Sequence, residues 1–158
     1  MKISVIGLGK AGLPLAAVMA DAGLDVLGVD VDREKAAMIN KGLNPMEEEP
    51  GLSVLIRKHA GKKLKATVDA LKAAKESSAH IIIVPLLIGK NNKPDFQMIQ
   101  KALENVGKGL KKNDLVVLET TVPVKTTETI VKDSLEKNSG LRAGKDFFLA
   151  YSPERIEA

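Results

Sequence analysis

The order of apolar and polar residues along the chain predicts strands that alternate with helices. Short apolar runs predict strands over residues 3–6, 26–29, 64–67, 80–84, 115–118 and 147–151. Helical spacing and capping patterns predict helices over 11–22, 32–41, 52–60, 68–77, 96–110 and 124–138, with loops at 44–51 and 86–94. Such alternation favours an α/β fold, in which a doubly wound, mainly parallel sheet carries helices on both faces.

A glycine-rich segment follows the first predicted strand directly and precedes the first predicted helix. Gly7 is expected to make a tight turn, Gly9 to let backbone N–H groups approach a pyrophosphate, and Gly12 to let helix and strand pack closely. The helix N-terminus would offer unpaired N–H groups to the phosphates. The pattern therefore predicts a Rossmann-type dinucleotide site whose first loop consists of Gly7, Leu8, Gly9, Lys10, Ala11, Gly12 and Leu13.

An acidic residue, Asp30, ends the second predicted strand, eighteen residues after Gly12. A carboxylate at this place accepts hydrogen bonds from an adenosine ribose, which favours NAD as the cofactor. Arg33 and Lys35 lie just beyond it and suggest the alternative of a 2′-phosphate site for NADP, but the carboxylate would repel that phosphate. A glycine turn that only requires positive φ is the purely structural alternative, and the flanking strands and the spaced acid argue against it.

Composition narrows the functional classes. The chain has 158 residues, of which 44% are hydrophobic and 28% charged, as expected for one globular domain. The net charge of +4 comes from scattered lysines and aromatic residues make up only 3%, which argues against nucleic-acid binding. There is no cysteine, the chain begins with a strand pattern, and no apolar run is long enough to span a membrane. We therefore expect a cytoplasmic protein with no membrane partner.

Two further polar segments follow predicted strands. Glu119, Thr120 and Thr121 come directly after an apolar run, although the threonines also suit a helix cap. Glu154 and Arg155 follow the last predicted strand, where a surface turn with a local ion pair is the simpler interpretation. The two histidines, His59 and His80, lack clustered carboxylates, so no metal site is predicted.

Taken together, the motifs of the chain resemble the NAD-binding domain of the UDP-glucose/GDP-mannose dehydrogenase family. They occur in the family's order and span the whole chain. They are GLGKAGLPLA from residue 7, VDVD at 29–32, EPGL at 49–52, IIIVP at 81–85, KPDF at 93–96, ETTVP at 119–123 and YSPERI at 151–156.

The resemblance implies an activity and roles for individual residues. Members oxidise the C6 alcohol of a nucleotide sugar to a carboxylate with two NAD per turnover, through a thiohemiacetal and a thioester on a cysteine of a later domain. Thr121 would hydrogen-bond the reacting oxygen or the water, and Glu154 would position or deprotonate that water. Glu119 would lie by the nicotinamide and Lys35 near the adenosine. The expected cofactor site also includes Val31, Val84, Pro85, Leu86 and Thr120.

The form SPERI resembles the branch that oxidises UDP-N-acetylmannosamine or UDP-N-acetylglucosamine. The chain also departs from the family pattern. Leu86 and Leu87 stand where many members have threonine and proline, and Lys125 stands where many have glycine. These changes leave the detail of the nicotinamide pocket open.

Because the chain has no cysteine, it cannot carry the covalent step. We expect residues 1–158 to be the N-terminal NAD-binding domain, with the central and sugar-binding domains absent from this chain and the full-length protein a homo-oligomer. The alternatives are a UDP-glucose 6-dehydrogenase, a hydroxy-acid dehydrogenase that removes one hydride, and a non-catalytic NAD-binding regulatory module. Glu154 argues against the second, and Leu86 and Leu87 lend the third some support.

Overall fold

The computed structural model describes residues 1–46, 49–89 and 92–153, and its central feature is a six-stranded parallel sheet. The strands are β1 (Lys2–Ile6), β2 (Asp25–Val29), β3 (Leu64–Thr67), β4 (Ala79–Ile82), β5 (Leu87–Ile88), β6 (Pro94–Asp95), β7 (Leu115–Leu118) and β8 (Phe148–Tyr151). The helices are α1 (Gly12–Asp21), α2 (Arg33–Asn40), α3 (Leu52–His59), α4 (Ala70–Glu76), α5 (Gln97–Gly109) and α6 (Lys132–Ser139). The sheet has the order β3-β2-β1-β4-β7-β8, which confirms the doubly wound α/β fold.

Helices cover both faces of the sheet, and each face has its own apolar cluster. On one face, Val5 and Ile81 pack with buried residues of α1, α2 and α3. On the other face, Ile6, Ile82 and Leu118 pack with buried residues of α4, α5 and α6. Because side chains alternate along a strand, neighbouring residues such as Val5 and Ile6 serve opposite faces, and the strands read as continuous apolar runs.

The strand order reverses between β1 and β4. The chain first builds outward from β1 to β3, then crosses back through α4 and continues from β4 to β8. In register, Ile6 at the end of β1 lies between Val29 of β2 and Ile82 of β4. The segments that follow these three strands therefore emerge side by side at one edge of the sheet, where doubly wound folds bind their ligands.

Several predicted boundaries differ from the structure. The segment 86–94 was predicted as a loop, but Leu87 and Ile88 pair with Asp95 and Pro94 in a small antiparallel ribbon. The predicted helix 124–138 begins later, with a π-helical turn (Thr127–Val131) that leads into α6. Lys125 has a φ of 69°, a left-handed conformation that cannot be part of a right-handed helix.

Other elements differ from the predicted bounds by one or a few residues. The fourth strand ends at Ile82, the helix predicted for 68–77 is shortened to α4, and the last strand starts at Phe148. Asp69 explains the start of α4, because its carboxylate accepts a hydrogen bond from the N–H of Lys72 and so caps the helix. Residues 47–48 and 90–91 of the predicted loops lie outside the described residues.

The Asn40 side chain forms hydrogen bonds with the outer edge of β3. The amide of Asn40, at the end of α2, donates to the carbonyl of Ala66 and accepts from its N–H, both at 2.8 Å. This pair of hydrogen bonds joins α2 to the sheet at the strand that has no neighbour beyond it.

A row of interacting polar side chains runs across the strands near their amino ends. His80 is completely buried, with Nδ1 2.8 Å from the Ser4 hydroxyl and Nε2 3.4 Å from the Asp114 carboxylate. Asp114 in turn lies 3.1 Å from the Lys111 ammonium. Burial lowers the pKa of His80, and the nearby Asp114 opposes that effect only in part. His80 therefore joins β1, β4 and the start of β7 as a neutral imidazole.

Candidate functional site

The three glycines of the first loop have different surroundings. Gly7 has a φ of 102°, and a Cβ there would lie 2.6 Å from the carbonyl oxygen of Ile83. A Cβ at Gly12 would lie only 1.8 Å from the carbonyl oxygen of Gly7. A Cβ at Gly9, by contrast, would meet nothing within 4 Å. Gly7 and Gly12 are thus required by the fold itself, whereas Gly9 leaves open space next to the loop.

Helix α1 starts directly after this loop, and no side chain caps its N-terminus. The helices α2 and α4 differ, because Asp32 and Asp69 accept hydrogen bonds from their first N–H groups. The Leu13 N–H is already bonded to the Gly9 carbonyl at 3.1 Å and Pro14 has no N–H, so the start of α1 offers an anion the positive end of the helix dipole and the N–H groups before Leu13. It lies beside the open space at Gly9, which is where a pyrophosphate would need those donors.

Asp30 is held by hydrogen bonds from three sides. Its carboxylate accepts from the N–H groups of Leu8 (3.1 Å) and Asp32 (3.0 Å) and pairs with the Lys35 ammonium at 3.0 Å. Burial raises the pKa of Asp30, but the N–H of Asp32, the Lys35 ammonium and the N–H of Leu8 together outweigh burial and hold the pKa below its usual value. The carboxylate is therefore ionised at neutral pH and fixed in one orientation beside the glycine loop.

The Lys35 ammonium bears on the choice of cofactor. It forms an ion pair with the Asp30 carboxylate, so the positive charge of Lys35, which would favour a 2′-phosphate, is already neutralised. Arg33 is exposed at the start of α2. This arrangement favours a ribose with a free 2′-hydroxyl at the end of β2.

The ends of β4 and β7 form the other half of the site. Val84 is buried, Pro85 is exposed, and Leu86 packs against the apolar cluster under α4, α5 and α6. Across from them, the Thr120 hydroxyl donates to the Val84 carbonyl at 2.6 Å, while Thr121 is exposed. The two segments that the sequence predicted as separate parts of one site are thus in direct contact.

The structure brings most of the predicted site residues to one edge of the sheet, but not all through their side chains. The side chains of Leu8 and Leu13 are completely buried in the core, so these residues face the site with their backbone only. Val31 is 82% exposed. Glu154, predicted as a catalytic residue, lies outside the described residues.

A further contact at the site was not predicted. The Tyr151 hydroxyl, at the end of β8, accepts a hydrogen bond from the N–H of Val122 at 3.4 Å. The tyrosine stands in the YSPER motif, but its partner depends on the sheet order and cannot be found from spacing along the chain. It links the ends of β7 and β8.

The described residues contain neither a metal-binding cluster nor a membrane-spanning helix. No three or more histidine, aspartate or glutamate side chains in ranges 1–46, 49–89 and 92–153 are grouped so that they could hold a metal ion. None of the helices in those ranges combines the length and the apolar character needed to cross a membrane.

Comparison with protein families gives a match over the full chain. The profile described as UDP-glucose/GDP-mannose dehydrogenase family, NAD binding domain, matches residues 1–158. The chain belongs to this family. As its NAD-binding domain, the chain has NAD as its cofactor.

Individual relatives narrow the comparison. The chain is 39% identical to a UDP-N-acetyl-D-mannosamine dehydrogenase of Campylobacter jejuni, with 98% of this chain and 39% of the relative aligned. It is 38% identical to a UDP-N-acetyl-D-glucosamine 6-dehydrogenase of Pseudomonas aeruginosa, over 99% of this chain and 36% of the relative. The chain thus spans less than half the length of these relatives.

Solved structures of the family have the same fold. A GDP-mannose dehydrogenase from Pseudomonas aeruginosa superposes with a TM-score of 0.92 at 32% identity, over 99% of this chain and 37% of that one. An NDP-N-acetyl-D-galactosaminuronic acid dehydrogenase from Methanosarcina mazei superposes with a TM-score of 0.89 at 40% identity, over 99% and 35%. Both contain a counterpart of this domain within a longer chain.

Proposed function

We propose that this chain is the NAD-binding domain of a nucleotide-sugar 6-dehydrogenase that oxidises the C6 alcohol of a UDP-N-acetylhexosamine to the uronate. The observation that carries the proposal is the pairing of open space at Gly9 with an anchored, ionised Asp30 at adjacent strand ends. The substrate class is supported by the relatives named for UDP-N-acetylmannosamine and UDP-N-acetylglucosamine, which align with nearly the whole chain.

In this proposal each half of the site holds one half of the cofactor. The loop of Gly7, Gly9 and Gly12 and the N-terminus of α1 hold the pyrophosphate, and Asp30 accepts from the adenosine ribose. The ends of β4 and β7 border the nicotinamide ring, which would accept a hydride from the alcohol carbon. Lys10, Ala11 and Val31 line the exposed rim of the site.

Catalytic roles within the chain are part of the same proposal. Thr121 is exposed at the end of β7, where it is suited to hydrogen-bond the reacting oxygen. Glu119, partly buried two residues earlier, borders the nicotinamide. The role of Glu154 in positioning water stays a prediction from the SPER motif. The covalent step belongs to a cysteine supplied by another part of the enzyme, since this chain has none.

Further parts of the proposal concern the whole enzyme. UDP-glucose is the second candidate substrate, because a UDP-glucose 6-dehydrogenase of Haloferax volcanii is 33% identical over 98% of this chain. We place the enzyme in the cytoplasm, a reducing compartment that suits a catalytic thiol. Its assembly into a homo-oligomer stays a prediction from the family resemblance.

The binding part of the proposal is tested by calorimetric titration of the 158-residue chain with NAD, NADP and ADP-ribose. We expect NAD and ADP-ribose to bind and NADP to bind at least about tenfold more weakly, because the Asp30 carboxylate can accept from a ribose hydroxyl but has no hydrogen to donate to a 2′-phosphate. Equal affinity for NADP would contradict the role of Asp30. The substrate part is tested by following NADH formation by the full-length enzyme with UDP-N-acetylmannosamine, UDP-N-acetylglucosamine and UDP-glucose. A clear preference for UDP-glucose would overturn the assigned branch.

A further inference from the structure

A side-chain hydrogen bond joins the two segments that border the nicotinamide half of the proposed site. The Thr120 hydroxyl donates to the Val84 carbonyl at 2.6 Å, between residues 36 positions apart in the chain. Thr120 is only 9% exposed, so water does not compete freely for this carbonyl. The hydroxyl has one proton, and that proton is engaged with Val84.

This bond extends the sheet where backbone pairing stops. At the end of the two strands, the N–H of Glu119 donates a backbone hydrogen bond to the carbonyl of Ile82 at 2.9 Å. Two residues beyond Ile82 and one beyond Glu119, the Thr120 side chain bonds to the Val84 carbonyl in place of a backbone N–H. The spacing between Val84 and Thr120 is thus set by a short buried bond rather than by the regular ladder.

The position of this bond relative to the strand order limits what it can influence. Gly7 to Gly12 and Asp30 follow β1 and β2, on one side of the point where the strand order reverses. Val84 and Thr120 follow β4 and β7, on the other side. In doubly wound folds the dinucleotide lies across this point, with one mononucleotide half over each set of strands.

We propose that Thr120 is a positioning residue for the nicotinamide half of the cofactor, which holds the Val84–Leu86 and Glu119–Thr121 segments at the separation that the ring requires. It acts through the Val84 carbonyl and does not itself contact NAD. The sequence predicted Thr120 as a cofactor contact, whereas the geometry assigns it the wall of the pocket. This inference rests on the NAD site proposed above and adds a residue-specific role to it.

The test compares Thr120→Val with Thr120→Ser by calorimetric titration of the chain with NAD and with ADP-ribose, which lacks the nicotinamide. Valine keeps the shape and removes the hydroxyl, whereas serine keeps the hydroxyl. We expect Thr120→Val to weaken NAD binding by about tenfold and to leave ADP-ribose binding within about twofold of the unmodified chain. Thr120→Ser should bind both ligands within about twofold of the unmodified chain.

A matched control removes a comparable bond far from the site. Ser139 ends α6, and its hydroxyl donates to the Leu135 carbonyl at 2.7 Å and accepts from the Leu141 N–H at 3.0 Å, so that alanine removes both bonds. Ser139→Ala should lower the unfolding temperature without changing either affinity. The unfolding temperature of Thr120→Val is measured alongside, and the binding titrations are made at least 15 °C below that temperature. If Thr120→Val does not fold, Thr120→Ala is compared with Thr120→Ser in its place.

The outcomes separate this inference from the proposed function. If the unmodified chain binds NAD and Thr120→Val binds it equally well, or loses NAD and ADP-ribose equally, the positioning role is wrong while the NAD site stands. If Thr120→Ser loses NAD as Thr120→Val does, the hydroxyl is not the cause and the role is again wrong. If the unmodified chain binds neither ligand, the proposed function itself fails.

Discussion

Gly9 and Gly12 differ in what a methyl group would meet, so an alanine at each position should separate folding from cofactor binding. At Gly12 the new Cβ would lie 1.8 Å from the Gly7 carbonyl oxygen and 2.8 Å from Cγ2 of Ile83. At Gly9 it would have nothing within 4 Å. Both substitutions add the same methyl group three residues apart, so each serves as a control for the other.

The expected loss of stability in Gly12→Ala follows from the first distance. Carbon and oxygen atoms rarely approach within 3 Å, and the Gly7 carbonyl is backbone, so α1 must move away by more than an ångström. Leu13, Ala16 and Ala17 of α1 are all completely buried and would lose close packing. Overpacking of this kind costs about 3 kcal/mol or more. For a chain of this size that corresponds to a fall of about 6–12 °C in the unfolding temperature.

Gly9→Ala should behave in the opposite way. Alanine restricts the unfolded chain more than glycine does, so the free energy of unfolding should stay the same or rise by up to about 1 kcal/mol. The methyl group would enter the space from which a pyrophosphate approaches the loop, and NAD should bind at least about tenfold more weakly.

The assay combines thermal unfolding, followed by circular dichroism, with calorimetric titration of NAD. The expected result is one variant that melts early and one that melts normally but binds NAD poorly. Gly12→Ala with an unchanged unfolding temperature would refute the packing argument. Gly9→Ala with unchanged NAD affinity would show that the open space at Gly9 is not used by the cofactor.

Three further predictions concern single charged or strained residues. Asp30→Ala should weaken NAD binding by about 1–3 kcal/mol. It should also lower stability, because the N–H of Leu8 loses its acceptor. Calorimetry measures the first effect and thermal unfolding the second, and an unchanged affinity would show that Asp30 is not part of the site. Burial lowers the pKa of His80 below the unfolded value of about 6.5. The stability contributed by the neutral imidazole is therefore complete above about pH 6.5 and is lost as the pH falls below that value. Urea unfolding at pH 7.5 and 5.5 should show a smaller loss in His80→Gln than in the unmodified chain, and an equal loss would contradict the assignment. Lys125→Gly should raise stability by about 0.5–1 kcal/mol by relieving the left-handed backbone, which urea unfolding would show; a clear loss would mean that the lysine side chain stabilises the turn.

Much of the fold follows from local pattern. The strands Leu64–Thr67 and Leu115–Leu118 have the predicted bounds. Leu115–Leu118 is a short apolar run between polar turns, a clear pattern for a strand in a parallel sheet, whereas Leu64–Thr67 shows the alternation of apolar and polar residues typical of a half-exposed strand. The ribbon of β5 and β6 was missed, since strands of two residues are too short to show a period. The start of the helix after Pro123 was also missed, because a left-handed lysine is rare enough that no pattern predicts it.

The local geometry around the candidate site was more predictable than its long-range connections. Spacing alone identified the glycines and Asp30, because their roles depend on backbone geometry next to them in sequence. The bonds from Thr120 to Val84 and from Val122 to Tyr151 join segments that are distant in sequence. They depend on which strands are neighbours and how far each extends, which only the assembled sheet determines.

The amide of Asn40 has a consequence beyond the single domain. Outermost strands offer free N–H and carbonyl groups to any other extended chain, and this is a common route to aggregation. At β3 both outward-facing groups of Ala66 are already taken by Asn40, so an intruding strand would have to displace two hydrogen bonds at 2.8 Å before it could add to the sheet. One asparagine at the end of a helix thus helps to keep copies of this protein from joining edge to edge at high concentration.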